Sequence, residues 1–178
     1  GQNWHLGLSV SYEDVQSSVG DLASIDGHLV QGGMVIKGRS GATTWAGSVA
    51  GGHGWFDTQR AVNIADLGGV AEAMQELSFI SGGMQVAHSF EHGDTYFRPM
   101  FEAAITSIHQ YGFSETGGGL GNLAVEASDE LYVALTPSLE IGAELALGDG
   151  GNLLRPRIKL GVTRYVGDEN PTVTSRLV

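Results

Sequence analysis

The segment from Glu130 to Leu147 alternates between apolar residues and small or charged residues over almost its whole length. Apolar residues occupy every second position: Leu131, Val133, Leu135, Pro137, Leu139, Ile141, Ala143, Leu145 and Leu147. Because successive side chains of a strand point to opposite faces, this period predicts a strand with one continuously apolar face. Ordinary strands have about 5–6 residues and membrane-crossing strands about 9–11. The length of the alternation therefore indicates a transmembrane β-sheet.

The turn that follows predicts how this strand pairs with the next one. Asp149-Gly150 is typical of a two-residue hairpin turn. With this dipeptide at the tip, apolar residues face one another on one side: Leu139 with Leu160, Ile141 with Ile158, and Leu145 with Leu154. On the other side opposite charges face one another: Glu140 with Lys159, and Glu144 with Arg155. This charge matching supports the register independently of the apolar pattern.

Composition narrows the classes of protein to which the chain can belong. Its 178 residues fit one domain, and its formal net charge of -11 argues against a nucleic-acid partner. No apolar stretch approaches the ~18 residues of a membrane helix. There are no cysteines, so disulfides and thiolate metal sites are excluded, and the six histidines lack ligand spacing. We therefore expect neither a metal site nor a cofactor.

The chain divides into seven strand-like segments joined by connections of alternating length. The segments are residues 4–13, 28–38, 42–56, 77–90, 95–113, 123–147 and 153–166. The short connections are residues 38–41, 91–94 and 148–151, and the long polar ones are 14–27, 57–76 and 114–122. Short turns on one side and long loops on the other are typical of outer-membrane barrels. Within the second long loop, residues 69–77 predict a solvated helical turn.

Aromatic residues gather near both ends of the predicted strands. Near the short turns lie Trp4, Trp45, Phe90, Tyr96 and Phe97. Near the long loops lie Tyr12, Trp55, Phe56, Phe79, Tyr111, Phe113 and Tyr165. Two such bands are typical of the aromatic girdles at membrane interfaces, although aromatic residues also favour strands in general.

Charged residues on the non-apolar face of the strands are the candidate site residues. Arg98 and Glu102 alternate with apolar neighbours, so they share a face with the charged positions of the last hairpin. The candidates for lining a lumen are Arg98, Glu102, Glu140, Glu144, Arg155, Arg157 and Lys159. Such residues serve either a hydrated conduit for polypeptide or solute, or an ion-pair network that fills the interior. The pattern leaves both interpretations open.

Four segments rich in glycine and aromatic residues carry a family resemblance. They are Trp4-His5-Leu6-Gly7-Leu8-Ser9-Val10-Ser11-Tyr12, residues 47–63 (GSVAGGHGWFDTQRAVN), Tyr96-Phe97-Arg98-Pro99-Met100, and residues 137–156 (PSLEIGAELALGDGGNLLRP). The chain resembles the C-terminal β-barrel translocator domain of autotransporters, the type V secretion proteins of Gram-negative bacteria. The resemblance implies an outer-membrane barrel of roughly a dozen strands, a helix threading its pore, and export of an N-terminal passenger polypeptide. Catalysis in that family usually belongs to the passenger, so we expect no enzyme activity here.

The chain departs from that family pattern in three respects. Against that pattern we expect the first strands, the pore helix and the last strands to be absent from residues 1–178, and position 178 is Val178 where the family has a terminal aromatic residue. We therefore expect a single, partial autotransporter-type barrel domain over residues 1–178, an antiparallel up-and-down meander of about seven long strands. Unpaired sheet edges are costly in lipid. The expected partners are outer-membrane lipid or detergent, the passenger, and another copy of the chain.

Two other functions are compatible with the sequence. A soluble antiparallel β-sandwich or barrel that binds a ligand would bury the apolar face against protein instead of lipid. An outer-membrane barrel enzyme would need paired catalytic groups above the barrel, for which His53 and Asp57 are the nearest candidates. The translocator interpretation is preferred because it alone accounts for the alternation, the loop lengths and the family resemblance together.

Overall fold

The chain folds into a large antiparallel meander in the computed structural model, which describes residues 4–64, 67–147, 152–167 and 174–178. In sheet order, the main strands are β1 (Trp4–Val19), β2 (Ala23–Ser40), β3 (Thr43–Ile64), β4 (Leu67–His88), β6 (Thr95–Gln110), β9 (Ser128–Ala143) and β12 (Arg157–Gly161). Two short strands extend it: β5 (Phe90–His92) pairs with β6, and β13 (Arg164–Gly167) pairs with β9. The expected all-β, antiparallel up-and-down meander is confirmed. Within the described residues the sheet is open.

Two smaller sheets complete the described chain. β10 (Leu145–Leu147) pairs with β11 (Asn152–Leu154) in the last hairpin. β7 (Phe113–Ser114), β8 (Leu123–Val125) and β14 (Ser175–Leu177) form a three-stranded sheet beside the main one. The described residues contain a single 3-10 turn, Gly119–Gly121, and no helix long and apolar enough to span a membrane.

The predicted register of the last hairpin is confirmed. Leu139 pairs with Leu160, Ile141 with Ile158, and Leu145 with Leu154. Of the predicted charge pairs, Glu140 lies opposite Lys159 in the ladder, and Glu144 Oε1 forms an ion pair with Arg155 Nε at 3.1 Å. The predicted tip at Asp149-Gly150 lies outside the described residues.

The strands are longer than predicted, and two of the expected long loops are wrong. β1 and β2 continue to a turn at Gly20–Leu22, and β3 and β4 continue as far as residues 64 and 67. The helical turn expected at residues 69–77 is part of β4. Backbone pairing in this hairpin continues through polar pairs such as Gln59 with Glu72, because the ladder is formed by backbone groups and does not require apolar side chains. The third long connection, around residues 114–122, is irregular as expected.

The two faces of the main sheet differ in character. Consecutive cross-strand partners Leu8, Met34 and Val49 define one face, here called the outer face, which continues through Ile105 and Val133. Its apolar side chains are exposed, with Leu8 78% and Val10 85% accessible. The opposite, inner face carries the charged candidates. Large apolar side chains thus point away from the protein, as they do where lipid is the solvent.

The aromatic residues are divided between these faces. The register places Trp4, Trp45 and Trp55 on the outer face, as a membrane girdle requires. It places Phe56, Phe79 and Tyr96 on the inner face, so these rings do not belong to a girdle. They instead lie across inner-face glycines: Phe56 over Gly27 and Gly54, Phe79 over Gly52, and Tyr96 over Gly142.

The packing of Tyr96 on Gly142 leaves no room for a larger residue. A Cβ added to Gly142 would lie 2.5 Å from the Tyr96 ring. We therefore expect Gly142→Ala to destabilise the sheet by about 1–3 kcal/mol through overpacking. The measurement is urea-induced unfolding in detergent micelles, followed by tryptophan fluorescence.

Gly47→Ala is the matched control for this substitution. The nearest atom to a Cβ at Gly47 is 3.8 Å away, an ordinary contact distance. We expect this variant to change the unfolding free energy by less than about 0.5 kcal/mol. Equal destabilisation by both variants would contradict the close approach of Tyr96.

Candidate functional site

The charged candidates converge on the inner face near the short turns. Arg98 on β6 lies opposite Glu140 on β9, which lies opposite Lys159 on β12, so these three residues share one face. Arg157 lies two residues from Lys159, and Glu102 lies four residues from Arg98, so both are on the same face. Glu144 and Arg155 extend the set beyond the strand ends. That these residues line a lumen remains a prediction.

The first ion pair joins neighbouring strands around Glu140. Arg98 Nη1 donates to Glu140 Oε1 at 3.1 Å, and the Tyr96 hydroxyl donates to the same oxygen at 2.8 Å. Arg98 Nε donates to Ser89 Oγ, and its guanidinium lies 4.9 Å from the centroid of the Tyr96 ring. Glu140 is only 8% exposed, so its carboxylate has little contact with water, and the ion pair with Arg98 compensates its charge.

The second ion pair crosses from β6 to β12. Lys159 Nζ donates to Glu102 Oε1 at 3.0 Å, and Gln85 Nε2 donates to the same oxygen at 2.9 Å. Lys159 therefore pairs with Glu102 although Glu140 is its ladder partner. The planar guanidinium of Arg98 already pairs with Glu140, and the long, flexible lysine side chain reaches across β9 to Glu102 on β6. The result is a network rather than a row of isolated pairs.

Tyr96 and Gln85 are members of this network that the sequence interpretation missed. Both follow the parity of their strands, since Tyr96 shares its face with Arg98 and Gln85 is the ladder partner of Glu102. The parity of β6 was a sufficient signal for Tyr96. Gln85 required the register between β4 and β6. The predicted short connection at residues 91–94 was a sufficient signal, because with Gly93-Asp94 at the tip the pairing of His92 with Thr95 continues to Gln85 with Glu102.

At the opposite end of the strands, residues 111–127 fold over the inner face; we call this segment the clasp loop. Arg60 on β3 holds it through two parallel hydrogen bonds to Glu115: Nε to Oε1 at 3.0 Å and Nη2 to Oε2 at 2.5 Å. Arg60 Nη2 also donates to the Gly121 carbonyl at 2.8 Å. Paired donors of this kind fix orientation as well as distance.

Backbone contacts seat the clasp loop against β3 and β4. Glu72 and Thr116 exchange hydrogen bonds of 2.8 and 2.9 Å between their amides and carbonyls. Gly118 lies against Val62 and Ala71, which are 4% and 1% exposed and belong to the inner face. Among the described residues these are two of only three buried apolar side chains. The clasp loop therefore covers the inner face where a passage between the strands would end.

The Arg60–Glu115 pair lies outside the predicted site. The third strand was expected to end at Phe56. Arg60 was therefore placed in a loop, where the alternation of a strand does not determine the direction of its side chain. The even-numbered residues of β3 face inward, since Ala46 is paired with Lys37 and Gln85. Extending this parity along the longer strand would have placed Arg60 on the inner face, but nothing local identifies Glu115 as its partner.

The electrostatics of Glu115 follow from these contacts. Hydrogen bonding to Arg60 lowers the pKa of Glu115, burial opposes this by raising it, and the Leu123 amide lowers it further. The Glu115 side chain is 10% exposed. Its carboxylate is thus the charged group on which the clasp loop depends.

Other chemistry receives no support from the described residues. They contain no group of three or more His, Asp or Glu side chains placed to hold a metal ion. The candidate catalytic pair is not brought together: His53 Nε2 lies 3.7 Å from Glu76 Oε2, and no hydrogen bond or ion pair of the described residues joins it to Asp57. Both residues lie on the outer face.

Glu115→Gln tests the clasp. The amide loses the charge that Arg60 compensates, so we expect opening of the clasp loop to become easier by about 1–3 kcal/mol. Hydrogen exchange of the Thr116 and Leu123 amides in detergent micelles measures this. Glu126→Gln is the control, because Glu126 lies in the same loop with an exposed side chain. Equal exchange in the two variants would contradict the assigned role.

The lowered pKa of Glu115 also predicts a pH dependence. A carboxyl group whose pKa is lower in the folded state stabilises that state above its unfolded pKa, about 4.3. This contribution is lost as pH falls through the folded value. We expect protease resistance of the clasp loop to be constant from neutral pH to about 5 and to fall below about 4. In Glu115→Gln this acid-dependent step should be absent, whereas its persistence would assign the step to another carboxyl group.

Comparison with known proteins agrees with this architecture. The translocator domain of the autotransporter NalP from Neisseria meningitidis superposes with a TM-score of 0.71 at 16% sequence identity, covering 97% of this chain and 57% of that chain. At this identity the likeness concerns the fold. The expectation of a transmembrane-barrel type of meander is thereby confirmed, and the chain spans little more than half of the NalP domain. A search of curated protein sequences gives no match.

A family profile provides the assignment. The profile of the autotransporter beta-domain matches residues 1–178. The resemblance carried by the glycine- and aromatic-rich segments is therefore confirmed. With its antiparallel meander, apolar outer face and charged inner face, the chain belongs to the autotransporter beta-domain family.

Proposed function

We propose that this domain inserts into the outer membrane of a Gram-negative bacterium and serves the export of a passenger polypeptide. The observation that carries the proposal is the contrast between an exposed apolar outer face and a charged, hydrogen-bonded inner face. Membrane barrels have this distribution because lipid surrounds them and water fills them. Membership of the autotransporter beta-domain family supports the same role.

The dimensions of the apolar surface fit a bilayer. In β6, the outer-face residues from Phe97 to Ile105 are apolar and span nine positions. At about 3.4 Å per residue and a tilt of about 40°, such a segment covers roughly the 25 Å apolar band of an outer-membrane barrel. The polar remainder of each strand would extend into water beyond it.

The small side chains of the inner face are compatible with a water-filled conduit. Between the charged network and the clasp loop it presents mainly small residues: Ser48, Ala50, Gly52, Ser81, Gly83, Ala104 and Ala134. Ser81 and Thr106 hydrogen-bond to each other at 3.0 Å, which leaves few strong binding groups in this zone. A surface of this kind favours passage, because small side chains with few free hydrogen-bonding groups hold a moving chain only weakly.

The edges of the sheet require partners in this setting. Within the described residues, β1 pairs with β2 alone and β12 with β9 alone. Unpaired amides and carbonyls cost several kcal/mol each in lipid. We propose that a second copy of the chain can pair with these edges when no other strands are present. Chemical crosslinking in micelles, compared across protein concentrations, tests this, and a monomer at all concentrations would contradict it.

Ile105→Arg tests which face meets lipid. Ile105 lies in the middle of the apolar outer surface and is 49% exposed. An arginine near the bilayer midplane costs about 2–4 kcal/mol, so we expect folding into phospholipid vesicles to be weakened by this amount. The measurement is urea-dependent folding in vesicles. Ala104→Arg, on the adjacent inner-face position, should cost less than about 1 kcal/mol.

Two outcomes decide against the membrane role. Equal effects of Ile105→Arg and Ala104→Arg would remove the distinction between the faces. A compact, detergent-independent β-fold would support the alternative of a soluble binding domain with a protein-covered apolar face. Export itself is tested in the full-length protein by placing an epitope in the polypeptide before this domain. External antibody should reach that epitope on intact cells, and an inaccessible epitope on a correctly inserted domain would contradict export.

A further inference from the structure

Basic residues are concentrated at one end of the inner face. Of nine lysine and arginine residues in the chain, six lie near the short turns; we call them the basic belt: Lys37, Arg39, Arg98, Arg155, Arg157 and Lys159. Among the described residues, five carboxylates lie near the same turns: Glu91, Asp94, Glu102, Glu140 and Glu144. The belt therefore carries excess positive charge on a chain whose net charge is -11.

Half of the basic belt is already neutralised. Arg98 pairs with Glu140, Lys159 with Glu102, and Arg155 with Glu144. The other three cations have no carboxylate within ion-pair distance among the described residues: Lys37, Arg39 and Arg157. Arg39 Nε donates only to the Gly41 carbonyl, at 2.9 Å. Charge for an external partner thus remains on the β2–β3 side of the face.

Two of these three cations, Lys37 and Arg39, line a groove. One groove of about 410 Å³ is bounded by His5, Lys37, Arg39, Ala46 and Gln85 among others. A second, of about 340 Å³, shares Ala46 and Gln85 with it and continues to Ala134 and Thr136. Ladder pairing makes this path continuous, since Lys37, Ala46, Gln85, Glu102 and Thr136 are successive partners from β2 to β9. The floor is made mainly of small side chains, so a peptide backbone can approach it closely.

We propose that this groove receives a polypeptide segment rich in acidic side chains, whose carboxylates pair with Lys37 and Arg39. The inference rests on the proposed translocator function and names the chemistry of the chain that the inner face recognises. At the opposite strand ends the inner face carries Glu13 and Glu130, and the outer face carries Asp26, Asp57 and Glu76. An acidic segment is therefore attracted to the short-turn end of the inner face and repelled from the opposite end, which favours binding near Lys37 and Arg39.

Peptide binding to the full chain in zwitterionic detergent micelles tests the proposal. The probes are two fluorescein-labelled, alanine-rich peptides of equal length that carry either glutamate or lysine at every fourth position. We expect the acidic peptide to bind at least about tenfold more tightly, with an affinity that falls as salt is added. The readout is fluorescence anisotropy.

Matched variants separate the groove from net charge. Lys37→Gln with Arg39→Gln should weaken binding of the acidic peptide about tenfold, the scale of two exposed ion pairs. Arg164→Gln with Arg176→Gln removes the same two charges elsewhere and should change affinity less than about twofold. Equal losses in the two double variants, or stronger binding of the basic peptide to the unaltered chain, would overturn the proposal.

Charge reversal provides a readout that misfolding cannot imitate. Lys37→Glu with Arg39→Glu should invert the preference, so that the basic peptide becomes the tighter ligand. Absence of inversion in a variant with an unchanged circular dichroism spectrum would also overturn the proposal. Vesicle insertion of the unaltered chain is measured separately. Normal insertion without peptide preference would reject the acidic partner alone, and failed insertion would reject the membrane role itself.

Discussion

Uninterrupted antiparallel pairing is the constraint on which the rest of this structure depends. β3 and β4 pair through 22 successive residues, and β2 pairs with β3 through 18. Each added pair contributes to the hydrogen bonding of the backbone amides and carbonyls. It also determines which residues of the next strand share a face, because the side chains of ladder partners point to the same side of the sheet. The apolar outer face, the ion-pair network and the position of Arg60 are all consequences of that shared parity.

The sequence was most informative where apolar residues alternate strictly with small or charged ones. Between Glu130 and Leu147 a shift of one position would move leucines to the charged face, so the register of the last hairpin was predictable to the residue. Strand ends were not predictable. Pairs such as Gln59 with Glu72 carry polar side chains that are equally compatible with a loop, and only the backbone ladder makes them strand.

The candidate site was also predictable only in part. The sequence indicated which charged residues share a face, but it did not indicate which of them contact one another. Parity grouped Arg98, Glu102 and Glu140 on one face without further information. It did not determine which charges pair, since Lys159 contacts Glu102 instead of its ladder partner. The clasp depends on residues 55 positions apart and on Gly117 and Gly119 with φ of 85° and 61°, which let the loop turn back. Such a contact has no local signature.

The height of the β3–β4 hairpin has a steric consequence. Twenty-two residues per strand at about 3.4 Å and a tilt near 40° rise roughly 55 Å, about twice the 25 Å apolar band. In a membrane this two-stranded hairpin would project well beyond the lipid headgroups. A polypeptide emerging beside it would be screened from the lipid surface on one side. The emerging polypeptide would then begin to fold on the side away from the lipid surface, to which exposed apolar segments adsorb.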